Sequence, residues 1–403
     1  MIRGHTIALD PTEAQRTYFA KAAGTARFAW NYALSEWKRQ HKAGEKPSAG
    51  KLRKQWNAIR HADFPWSGEV TKCAGSQAII DLGTAFANFC RDLKQPKAER
   101  HFRYPRFKKK RADCGFALWH DQCHLAGERV RIAKLGGVRR REQLRFIGKI
   151  LGARVKCRAG RWFISIQVEM PDARPETIAG IVGVDLGVKV LMTCSDGTVS
   201  TNPAPRRQLL QRQQKLQRRV SRQRQHSHRQ AQRRRRLARL HYRMACIRHD
   251  AAHKATTRIA RTFGTIVLED LNVAGMSKNH ALAGAVADAA FGEMRRQLQY
   301  KAARVVLADR FYPSSKTCSG CGEVMEELPL GVRIFVCMRC SMVKDRDRNA
   351  ADNLELVGRA TAEPAGQYGP ADARGHCSAG RRRRGGETAV VEPRTQLRMS
   401  AHI

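Results

Sequence analysis

Residues 318–354 read Cys318-Ser-Gly-Cys321, fifteen further residues, Cys337-Met-Arg-Cys340 and, after four more, Asp345-Arg-Asp-Arg-Asn-Ala-Ala-Asp-Asn-Leu354. Two Cys-x-x-Cys pairs at this separation are typical of a zinc ribbon, in which four thiolates surround one ion as a tetrahedron. Four unrelated buried cysteines are the alternative, but neighbouring glycine and proline residues supply the tight turns that such pairs need. Because the pattern implies no oxygen or water ligand, the predicted zinc is structural.

The segment after the second cysteine pair predicts a helix that begins near Asp347. Its apolar residues fit one helix face: Ala350, Ala351, Leu354 and Leu356. A carboxylate at a helix start, beside a rigid ribbon, is well placed to bind a metal ion. Taken alone, however, the segment favours a simpler interpretation, in which Asp345 or Asp347 only caps the helix.

The composition predicts a polyanionic partner. The 403 residues allow two or three domains, and they carry 76 Lys and Arg against 35 Asp and Glu, a formal charge of +41. A protein with this charge needs a polyanion to neutralise it, and nucleic acid is the first expectation. An anionic membrane surface is the alternative, but we find neither an apolar run long enough to span a bilayer nor a basic amphipathic anchor with bulky aromatic residues. We therefore expect no membrane partner.

Two features bear on the compartment. The start, Met-Ile-Arg-Gly-His-Thr, lacks the apolar region of a signal peptide. The twelve cysteines lack the spacing of a disulfide scaffold, and four of them fall in the predicted ribbon. Both features indicate a reducing cytosol.

The N-terminal part is predicted to be helical after one short strand, residues 5–10. Asp10 is the predicted N-cap of the first helix, with Glu13 reaching back to it. Gly24 is expected to end this helix. The core residues predicted for the second helix are Phe28, Trp30, Leu34 and Trp37. Helical segments continue through Ala78–Leu93.

Residues 103–111 combine basic and aromatic side chains in the run Arg-Tyr-Pro-Arg-Phe-Lys-Lys-Lys-Arg. Such a run suits a surface that follows a nucleic-acid backbone and stacks on bases, although a solvated charge run is an equal alternative. The candidate contacts are Arg103, Tyr104, Arg106, Phe107 and Lys108.

From Cys114 to Met170 the sequence is β-like. The predicted strands are Val130–Ile132, Leu144–Ile147, Ala153–Cys157 and Trp162–Val168, with Arg158-Ala-Gly-Arg161 as a hairpin turn. Together with the N-terminal strand they resemble a small barrel. Pro171–Ala179, which holds two prolines and two acids, is interpreted as a linker.

Two later strands end on carboxylates. Ile181–Gly187 is a buried strand that carries Asp185, and Thr265–Glu269 is a buried strand whose last residue is Glu269. Between them the pattern predicts a further strand, Val190–Cys194, and a turn at Asp196-Gly197. Ala283–Val306 is predicted to be helical, and Gly358–Ile403 to be a disordered basic tail.

Arg206–Arg248 is the strongest charge run, with sixteen basic residues and no Asp or Glu. The apolar residues predict two long helices with a protruding, unburied tip near 226–228. These apolar residues are Leu209, Leu216 and Val220 on one helix and Leu237, Leu240, Met244 and Ile247 on the other. Between the two apolar faces, Ser221–Arg236 offers only Ala231 to a core.

Because this run contains no acid to pair with its cations, we expect phosphates to lie against its surface. The candidate contacts are Arg218, Arg219, Arg222, Arg233 and Arg234.

Asp185, Glu269 and Asp347 are far apart in sequence but could converge in a ribonuclease-H-like sheet. Three carboxylates that hold two divalent ions about 4 Å apart would activate water and stabilise the leaving oxygen of a phosphodiester. Such hard oxygen ligands suit Mg²⁺ or Mn²⁺ rather than zinc. Each acid alone is weak evidence, because Asp at a strand end often caps a turn and Glu269 beside Asp270 is compatible with an ordinary surface.

Four segments resemble the TnpB family of insertion-sequence-encoded, RNA-guided DNA endonucleases, which are related to the type V CRISPR nucleases and often called transposases. They are Val-Asp-Leu-Gly at 184–187, Leu-Glu-Asp-Leu-Asn at 268–272, Ser-Ser-Lys-Thr-Cys-Ser-Gly-Cys-Gly at 314–322 and the run at 345–354. Arg27-Phe-Ala-Trp-Asn31 and Pro105-Arg-Phe-Lys108 are also similar to family motifs. The resemblance covers about residues 5–356 and is more specific in the C-terminal half.

The resemblance implies a RuvC-type nuclease with Asp185, Glu269 and Asp347 as catalytic ligands of magnesium or manganese. It places zinc at Cys318, Cys321, Cys337 and Cys340. The implied domains are a wedge barrel (1–10 and 113–172), a helical recognition domain (11–112), a RuvC-like nuclease (173–312 and 343–357) with the basic helical pair 205–260, a zinc ribbon (313–342) and the tail (358–403).

The implied partners are a structured guide RNA, gripped by the wedge, and target DNA. A short DNA motif beside the target would be read by protein and the rest by base pairing. The resemblance implies a prokaryotic cytosol or nucleoid and identifies no protein partner. The sequence departs from the family in two respects. The basic run is unusually dense in arginine, and the tail has no counterpart in the family. These departures affect the expected preference for RNA and target, but not the expected role of the acids.

Two other functions remain as alternatives to a guided endonuclease. A non-cleaving accessory or regulator of transposition would keep the fold, but it has no need of three acids in these settings. A recombinase that joins strands itself fits less well, because the sequence shows no serine- or tyrosine-recombinase pattern.

Overall fold

The computed structural model describes residues 1–96, 100–110, 114–171, 178–329 and 331–361. Its helices are α1 (Glu13–Lys42), α2 (Ala49–Ile59), α3 (Cys73–Leu93), α4 (Pro205–Ser221), α5 (His228–Thr262), α6 (Val273–Met276), α7 (Ala283–Ala289), α8 (Phe291–Lys301) and α9 (Arg346–Ala360). Its strands are β1 (Ile2–Asp10), β2 (Gly115–Trp119), β3 (Cys123–Ala126), β4 (Arg129–Ile132), β5 (Gly136–Arg140), β6 (Lys149–Arg158), β7 (Arg161–Glu169), β8 (Ile181–Asp185), β9 (Val190–Cys194), β10 (Val199–Thr201), β11 (Thr265–Glu269), β12 (Arg304–Ala308), β13 (Ile334–Val336) and β14 (Val343–Asp345). None of the helices in these ranges is both long and apolar enough to cross a membrane.

Two predicted segments lie largely outside the described residues. Of the linker Pro171–Ala179 only the ends are described, and of the tail only the part up to Thr361. That part continues α9 to Ala360, so the helix extends beyond the predicted start of the tail. Gly358 is buried there, and a Cβ atom on it would lie 2.4 Å from Val267 Cγ2.

The first helix begins later than predicted. Thr12 is its N-cap, and Thr12 and Gln15 exchange side-chain and backbone hydrogen bonds as a capping box. Asp10 is instead the last residue of β1. The prediction of Asp10 as the cap, with Glu13 reaching back, is therefore wrong, because the strand uses Asp10 and the Thr-x-x-Gln pattern supplies the cap.

The predicted break at Gly24 is also wrong, because α1 runs without interruption over 30 residues. Ala22 and Ala23 beside it are buried in the core. Burial of this face outweighs the roughly 1 kcal/mol that glycine costs inside a helix. Of the predicted core residues, Trp30 and Leu34 are buried, whereas Phe28 and Trp37 are partly buried.

A seven-stranded antiparallel sheet joins the N-terminal strand to the β-rich middle of the chain. Its strand order is β2-β6-β7-β1-β5-β4-β3, so that β1 lies at the centre. Ile7 of β1 pairs with Ile164 of β7, and both are fully buried. The edge strands β2 and β3 are joined by the short 3-10 turn His120–Gln122. No backbone pairing between described residues closes the sheet, so the barrel stays a prediction.

One of the predicted strands in this region is absent from the described structure. Leu144–Ile147 forms a loop, in which the Arg145 N–H donates to the imidazole Nδ1 of His5 instead of to a neighbouring strand. Ile147 is 93% exposed, so its apolar character does not reflect burial. The hairpin turn at Arg158–Arg161 is confirmed, with both central residues at positive φ.

The second sheet has five strands in the order β10-β9-β8-β11-β12. β8, β11 and β12 are parallel, whereas β9 is antiparallel to β8 and to β10. Successive residues of a strand point to opposite faces, and both faces are covered. Ile266 and Leu268 pack against α5 and α8, and Val267 packs against α9. Burial on both faces explains the continuous apolar run of β11.

Ala283–Val306 is not one helix. Ala290, with φ of 53°, separates α7 from α8, and the helical part ends at Lys301. Arg304–Ala308 then forms β12, which pairs in parallel with β11. The helical prediction is wrong here because pairing with a distant strand edge, rather than local periodicity, fixes the conformation of these residues.

The two long basic helices are confirmed as α4 and α5. At the tip, Gln230 is buried and Ala231 is exposed, contrary to the prediction for Ala231. Gln230 accepts a hydrogen bond from the His226 N–H at 3.1 Å and donates its own N–H to the N-cap Ser227 at 3.1 Å. The turn is therefore held by polar groups rather than by a small apolar core.

Helix α5 connects the two sheets. With 35 residues it is about 50 Å long. Ala255 and Ile259, near its C-terminal end, pack in the core of the five-stranded sheet. Further back, Tyr242 packs against Phe163 of β7, with ring centroids 5.6 Å apart. The N-terminal half of α5 therefore lies beside the seven-stranded sheet.

Candidate active site and cysteine cluster

Two carboxylates lie at the same ends of neighbouring parallel strands. β8 and β11 pair with Leu268 opposite Val184, and the next residues are the acids Glu269 and Asp185. Both acids are half-buried. The structure thus brings two of the predicted site residues to one edge of the five-stranded sheet.

Asp347 approaches this edge from the first turn of α9. The N-cap of α9 is Asp345, whose Oδ1 accepts backbone hydrogen bonds from Asp347 and Arg348, each at 3.0 Å. The capping interpretation therefore applies to Asp345 and leaves the half-buried Asp347 side chain free of that role. Arg333 Nη1 lies 3.6 Å from Asp347 Oδ1.

A glycine in β8 allows α9 to pack closely against the sheet. A Cβ atom on Gly183 of β8 would lie 1.9 Å from the Ala351 carbonyl oxygen and 2.4 Å from the Glu355 nitrogen. Any other residue would push the helix away. This close approach positions Asp347 relative to the two acids at the strand ends.

The three acids interact electrostatically. Burial, followed by the negative charges of Glu269 and Asp347, raises the pKa of Asp185 from 3.8 to about 8. Burial and like charges both disfavour the ionised form of a carboxyl group. Without a cation, Asp185 is therefore protonated at neutral pH. Hard cations prefer oxygen ligands of this kind, although the three carboxylates are not among the groups of described residues whose ligand atoms all lie within 4.8 Å of one another.

The neighbouring acids Glu269 and Asp270 have different partners. Ser314 Oγ donates a hydrogen bond to Glu269 Oε1. Asp270 forms ion pairs with Arg295 at 2.6 Å and Arg310 at 2.5 Å, and against the effect of burial these arginines lower its pKa. Asp270 is thus neutralised within the protein, whereas the negative charge of Glu269 acts on Asp185.

The four predicted ribbon cysteines form one cluster. Their sulfur atoms all lie within 4.8 Å of one another, with 3.6 Å between Cys318 and Cys340 and 3.6 Å between Cys321 and Cys337. A tetrahedron of 2.3 Å Zn–S bonds has edges of about 3.8 Å, so the cluster fits such an ion. The backbone N–H of Cys340 is the main cause that lowers the pKa of Cys337 to about 6 and favours its thiolate.

Two asparagines that the sequence interpretation did not single out connect this cluster to α9. Asn349 accepts from the Ser319 N–H at 2.9 Å and donates to the Thr317 carbonyl at 2.7 Å. Asn353 donates to the carbonyls of Thr317 at 2.6 Å and Ser314 at 2.8 Å. Both asparagines are buried. Since Ser314 also contacts Glu269, these hydrogen bonds connect the cysteine cluster to the acids.

A second group of ligand atoms within 4.8 Å of one another consists of His249, His253 and Glu293. Arg296 already binds both oxygens of Glu293, at 2.7 and 2.9 Å. Lys301 Nζ lies 3.0 Å from His253 Nδ1. These two cations contact Glu293 and His253, so we interpret the group as an ion-pair network.

The two N-terminal motifs contact each other. Trp30 Nε1 donates to the Arg106 carbonyl at 3.0 Å. Asn31 exchanges two hydrogen bonds with the backbone of Lys108, at 2.7 and 3.0 Å. Lys108 Nζ also lies 3.5 Å from the centre of the Trp30 ring. The basic segment is therefore anchored along α1.

The aromatic residues of this segment are only partly used in packing. Tyr104 meets Phe86 and Phe89 edge-on, with centroids 5.3 and 5.4 Å apart. Tyr104 and Phe107 remain 42% and 51% exposed. Arg103 and Arg106 are exposed beside them, which leaves cations and rings on one surface.

The five candidate arginines of the basic helices lie on α4, on α5 and at the C-cap of α4. Four of them are exposed and Arg233 is half-buried. None of the five is in an ion pair with an acid of the described residues. Arg219 lines a cleft of about 870 Å³ formed by α4, α5 and the start of β7, and the other four do not.

Three family models match parts of the chain. One described as "Probable transposase" matches residues 165–280, one described as "Cas12f1-like, TNB domain" matches residues 291–354, and one described as "Helix-turn-helix domain" matches residues 1–46. The last description differs from the structure, in which this range holds β1 and the uninterrupted helix α1.

Similar proteins cover most of the chain. One from Streptomyces pristinaespiralis, named as a candidate RNA-guided DNA endonuclease, is 34% identical over 87% of this chain and 88% of its own length. One from Escherichia coli K12 with the same description is 31% identical over 87% and 91%. A TnpB-like protein of Acanthamoeba polyphaga mimivirus is 33% identical over 31% of this chain and 25% of its own. The chain belongs to the TnpB family. The resemblance found in its motifs is thereby confirmed.

Solved structures similar to this TnpB chain include two complexes with RNA. A Cas12f1 complex with guide RNA and target DNA covers 88% of this chain and 99% of its own, at 16% identity and a TM-score of 0.30. CasPhi-2 bound to crRNA covers 89% and 98%, at 10% identity and a TM-score of 0.42. Because both TM-scores are below 0.5, the TnpB assignment rests on the sequence relatives.

Proposed function

We propose that this TnpB protein is an RNA-guided, divalent-metal-dependent endonuclease that hydrolyses phosphodiester bonds of target DNA. The observation that carries the proposal is that Asp185 and Glu269 follow paired residues of neighbouring parallel strands, with Asp347 in the first turn of α9 near enough for its charge to raise the pKa of Asp185. The chain also belongs to a family whose members are named for this activity. A protein that only binds nucleic acid gains nothing from half-buried acids that repel one another.

The three carboxylates are the proposed ligands of Mg²⁺ or Mn²⁺. Their oxygens are hard donors, and a cation would relieve the repulsion that raises the pKa of Asp185. When bound, such ions supply an activated water and stabilise the leaving oxygen. The protein itself orients the acids, because Ser314 holds Glu269 and the Asp345 cap fixes the first turn of α9.

The cysteine cluster is proposed to hold one structural zinc ion. Four thiolates complete its coordination and leave no open position for substrate. Through Asn349 and Asn353 the cluster fixes α9 and the segment around Ser314. Zinc would therefore support the geometry of the acids without contacting the reacting phosphate.

The other parts of the fold are proposed to bind nucleic acid. The seven-stranded sheet is the proposed wedge for the guide RNA (1–10 and 113–172), and the helices of 11–112 are the proposed recognition domain. The five-stranded sheet with α4 to α9 is the proposed RuvC-like nuclease (173–312 and 343–357), with the ribbon (313–342) inserted. A short DNA motif beside the target would be read by protein.

Retargeting tests the proposal. Protein purified from its host should carry one dominant structured RNA and, in Mg²⁺, cut a plasmid that matches the guide end of that RNA. A changed guide end should move the cut to the new matching site. Asp185→Ala protein should keep its RNA and bind the target without cutting it.

Each alternative gives a different result. A promiscuous polyanion binder would carry RNA in proportion to cellular abundance, and added RNA would not direct cutting. A regulator would carry one RNA and bind the matching site, but even its wild-type form would not cut that site. Failure of active, RNA-loaded protein to follow a new guide would overturn the proposal.

A further inference from the structure

The cleft of about 870 Å³ beside α4 and α5 is lined mainly by cationic side chains. From α4 it receives Arg212, Lys215 and Arg219. From α5 it receives Arg236, Arg239 and Arg243. We call this site the arginine cleft.

Arg161, the first residue of β7, completes the lining of the arginine cleft. Within the described ranges, none of the seven cations pairs with a carboxylate, and no acid lines the cleft. Like charges on neighbouring helix turns repel one another. Anions in the cleft would remove this repulsion, so the arrangement is suited to a polyanionic ligand.

The chemistry of the lining favours phosphate. Six of the seven cations are arginines, whose planar guanidinium group binds two phosphate oxygens at once. The cations extend about 10 Å along each helix, which is longer than one phosphate group. Tyr242 adds an aromatic ring beside them. A row of phosphates with bases, rather than a single phosphate, fits this combination.

A second basic cavity shares one lining residue with the arginine cleft. Tyr242 also lines a space of about 920 Å³ between α1, α3, β2, β6 and α5, with Lys108 and Lys156 among its cations. The acid in that lining, Asp81, is bound at both oxygens by Arg154 at 2.8 Å. Tyr242 of α5 is thus common to the linings of both basic cavities.

We propose that the arginine cleft binds the phosphodiester backbone of the guide RNA. This assignment rests on the proposed function, which supplies such an RNA. It favours RNA over target DNA because the cleft lies on the N-terminal half of α5, beside β7 and the proposed wedge, whereas target DNA must reach the acids at the end of β8. A-form RNA is recognised mainly through its shape and phosphates, as this lining requires.

The protein carries a native probe of the cleft. Cys246 is an exposed thiol in its lining, and Cys90 on α3 is an exposed thiol that lines neither basic cavity. Wild-type protein, with its RNA and after removal of RNA at high salt, is treated with N-ethylmaleimide, and both cysteines are followed by peptide mass spectrometry. RNA should slow modification of Cys246 several-fold and leave Cys90 unchanged. Equal protection of both thiols, or protection of neither, would overturn the assignment.

A pair of matched variants tests the same site by charge. Arg239→Gln/Arg243→Gln removes two cations from the cleft, and Arg261→Gln/Lys278→Gln removes two exposed cations that lie outside both the cleft and the basic run 206–248. Loss of two phosphate contacts should lower the salt slope of RNA binding by about 1.5 and the affinity at least tenfold in the first variant. The second variant should bind almost as wild type. Equal losses in both would show that overall charge, and not the cleft, binds the RNA.

The same variants separate RNA from DNA. RNA binding and binding of target duplex by the RNA-loaded protein are measured side by side, with thermal unfolding as a check on folding. If the cleft variant keeps RNA affinity and loses target affinity, the cleft holds DNA and the RNA assignment is wrong. Guided cutting by wild type, which these measurements do not use, decides the proposed function independently.

Discussion

Replacing Asp185 with asparagine should stabilise the metal-free protein while it abolishes cleavage. The pKa of Asp185 is about 8 in the fold, against an ordinary value of 3.8. When folding raises the pKa of a group, the contribution of that group to the free energy of unfolding is fully present below its unfolded-state pKa. This contribution is lost as the pH rises through the folded-state pKa. From about pH 4 to pH 8, wild type must therefore keep protonated a group that its unfolded chain would ionise.

The size of the effect follows from the shift. At pH 7 the difference covers about three pKa units, which sets an upper bound of about 4 kcal/mol at 1.36 kcal/mol per unit. Water entry and rearrangement of the neighbouring acids reduce this value, so we expect a gain of about 1–4 kcal/mol for Asp185→Asn. Asparagine keeps the shape of the side chain and cannot ionise.

The assay is denaturant unfolding of wild type and variant between pH 6 and pH 9, in buffer without Mg²⁺ or Mn²⁺. The advantage of the variant should grow with pH and level off above about pH 8, the folded pKa. Added Mg²⁺ should stabilise wild type and not the variant, because only wild type retains the ligand. Asp345→Asn is the control, since asparagine caps a helix as well as aspartate does.

A variant that is no more stable than wild type at any of these pH values would refute the reasoning. It would mean that Asp185 is not buried among like charges, and the case for a shared cation site would lose its main physical support. A gain in stability with cleavage retained would instead remove Asp185 from the proposed ligands.

Three further predictions concern the support of the acids. Cys337→Ser should release zinc, measured by elemental analysis, and reduce cleavage; fully active protein without zinc would contradict this. Asp347→Asn should abolish plasmid cutting and Asp345→Asn should not, because Asp345 caps α9; the reverse result would make Asp345 the ligand. Gly183→Ala should cost about 1–3 kcal/mol or more and displace α9, because its Cβ would lie 1.9 Å from a carbonyl oxygen; cutting at the wild-type rate would show that α9 can shift without consequence.

The elements that carry the acids were predictable because their signals are local. A strand buried on both faces shows as a continuous apolar run, and Val182–Val184 and Ile266–Leu268 do so directly before Asp185 and Glu269. The cysteine spacing was equally informative. The sequence could not predict whether Asp345 or Asp347 caps α9. Both are aspartates at positions that suit a cap, and only the backbone geometry distinguishes them.

The supporting asparagines could have been found. Asn349 and Asn353 lie four residues apart, on the same helix face as the apolar Ala350 and Leu354. Polar residues on a buried face must find hydrogen-bond partners, which is a signal that they hold another segment in place. Their partners in the ribbon, however, lie thirty or more residues away in sequence, and no local pattern identifies them.

The errors have a common physical cause, since in each of them a distant contact outweighed a local preference. Gly24 remains helical because its neighbours are buried in the core, and β12 forms because the edge of β11 is free to pair. Leu144–Ile147 has the apolar residues of a strand, but its backbone is bound by a side chain of β1. Sequence periodicity carries no information about these partners.

The close contact of Gly183 with α9 also bears on the order of synthesis. Helix α9, which packs closely on Gly183 of β8, is the last helix of the described chain. During synthesis, Asp185 and Glu269 therefore leave the ribosome before α9, which carries Asp347, can dock. A nascent or prematurely terminated chain therefore lacks the full set of acids, while the basic helices α4 and α5 are already present. We expect such truncated products to sequester guide RNA without cutting DNA, and thus to act as natural competitors of the full-length protein.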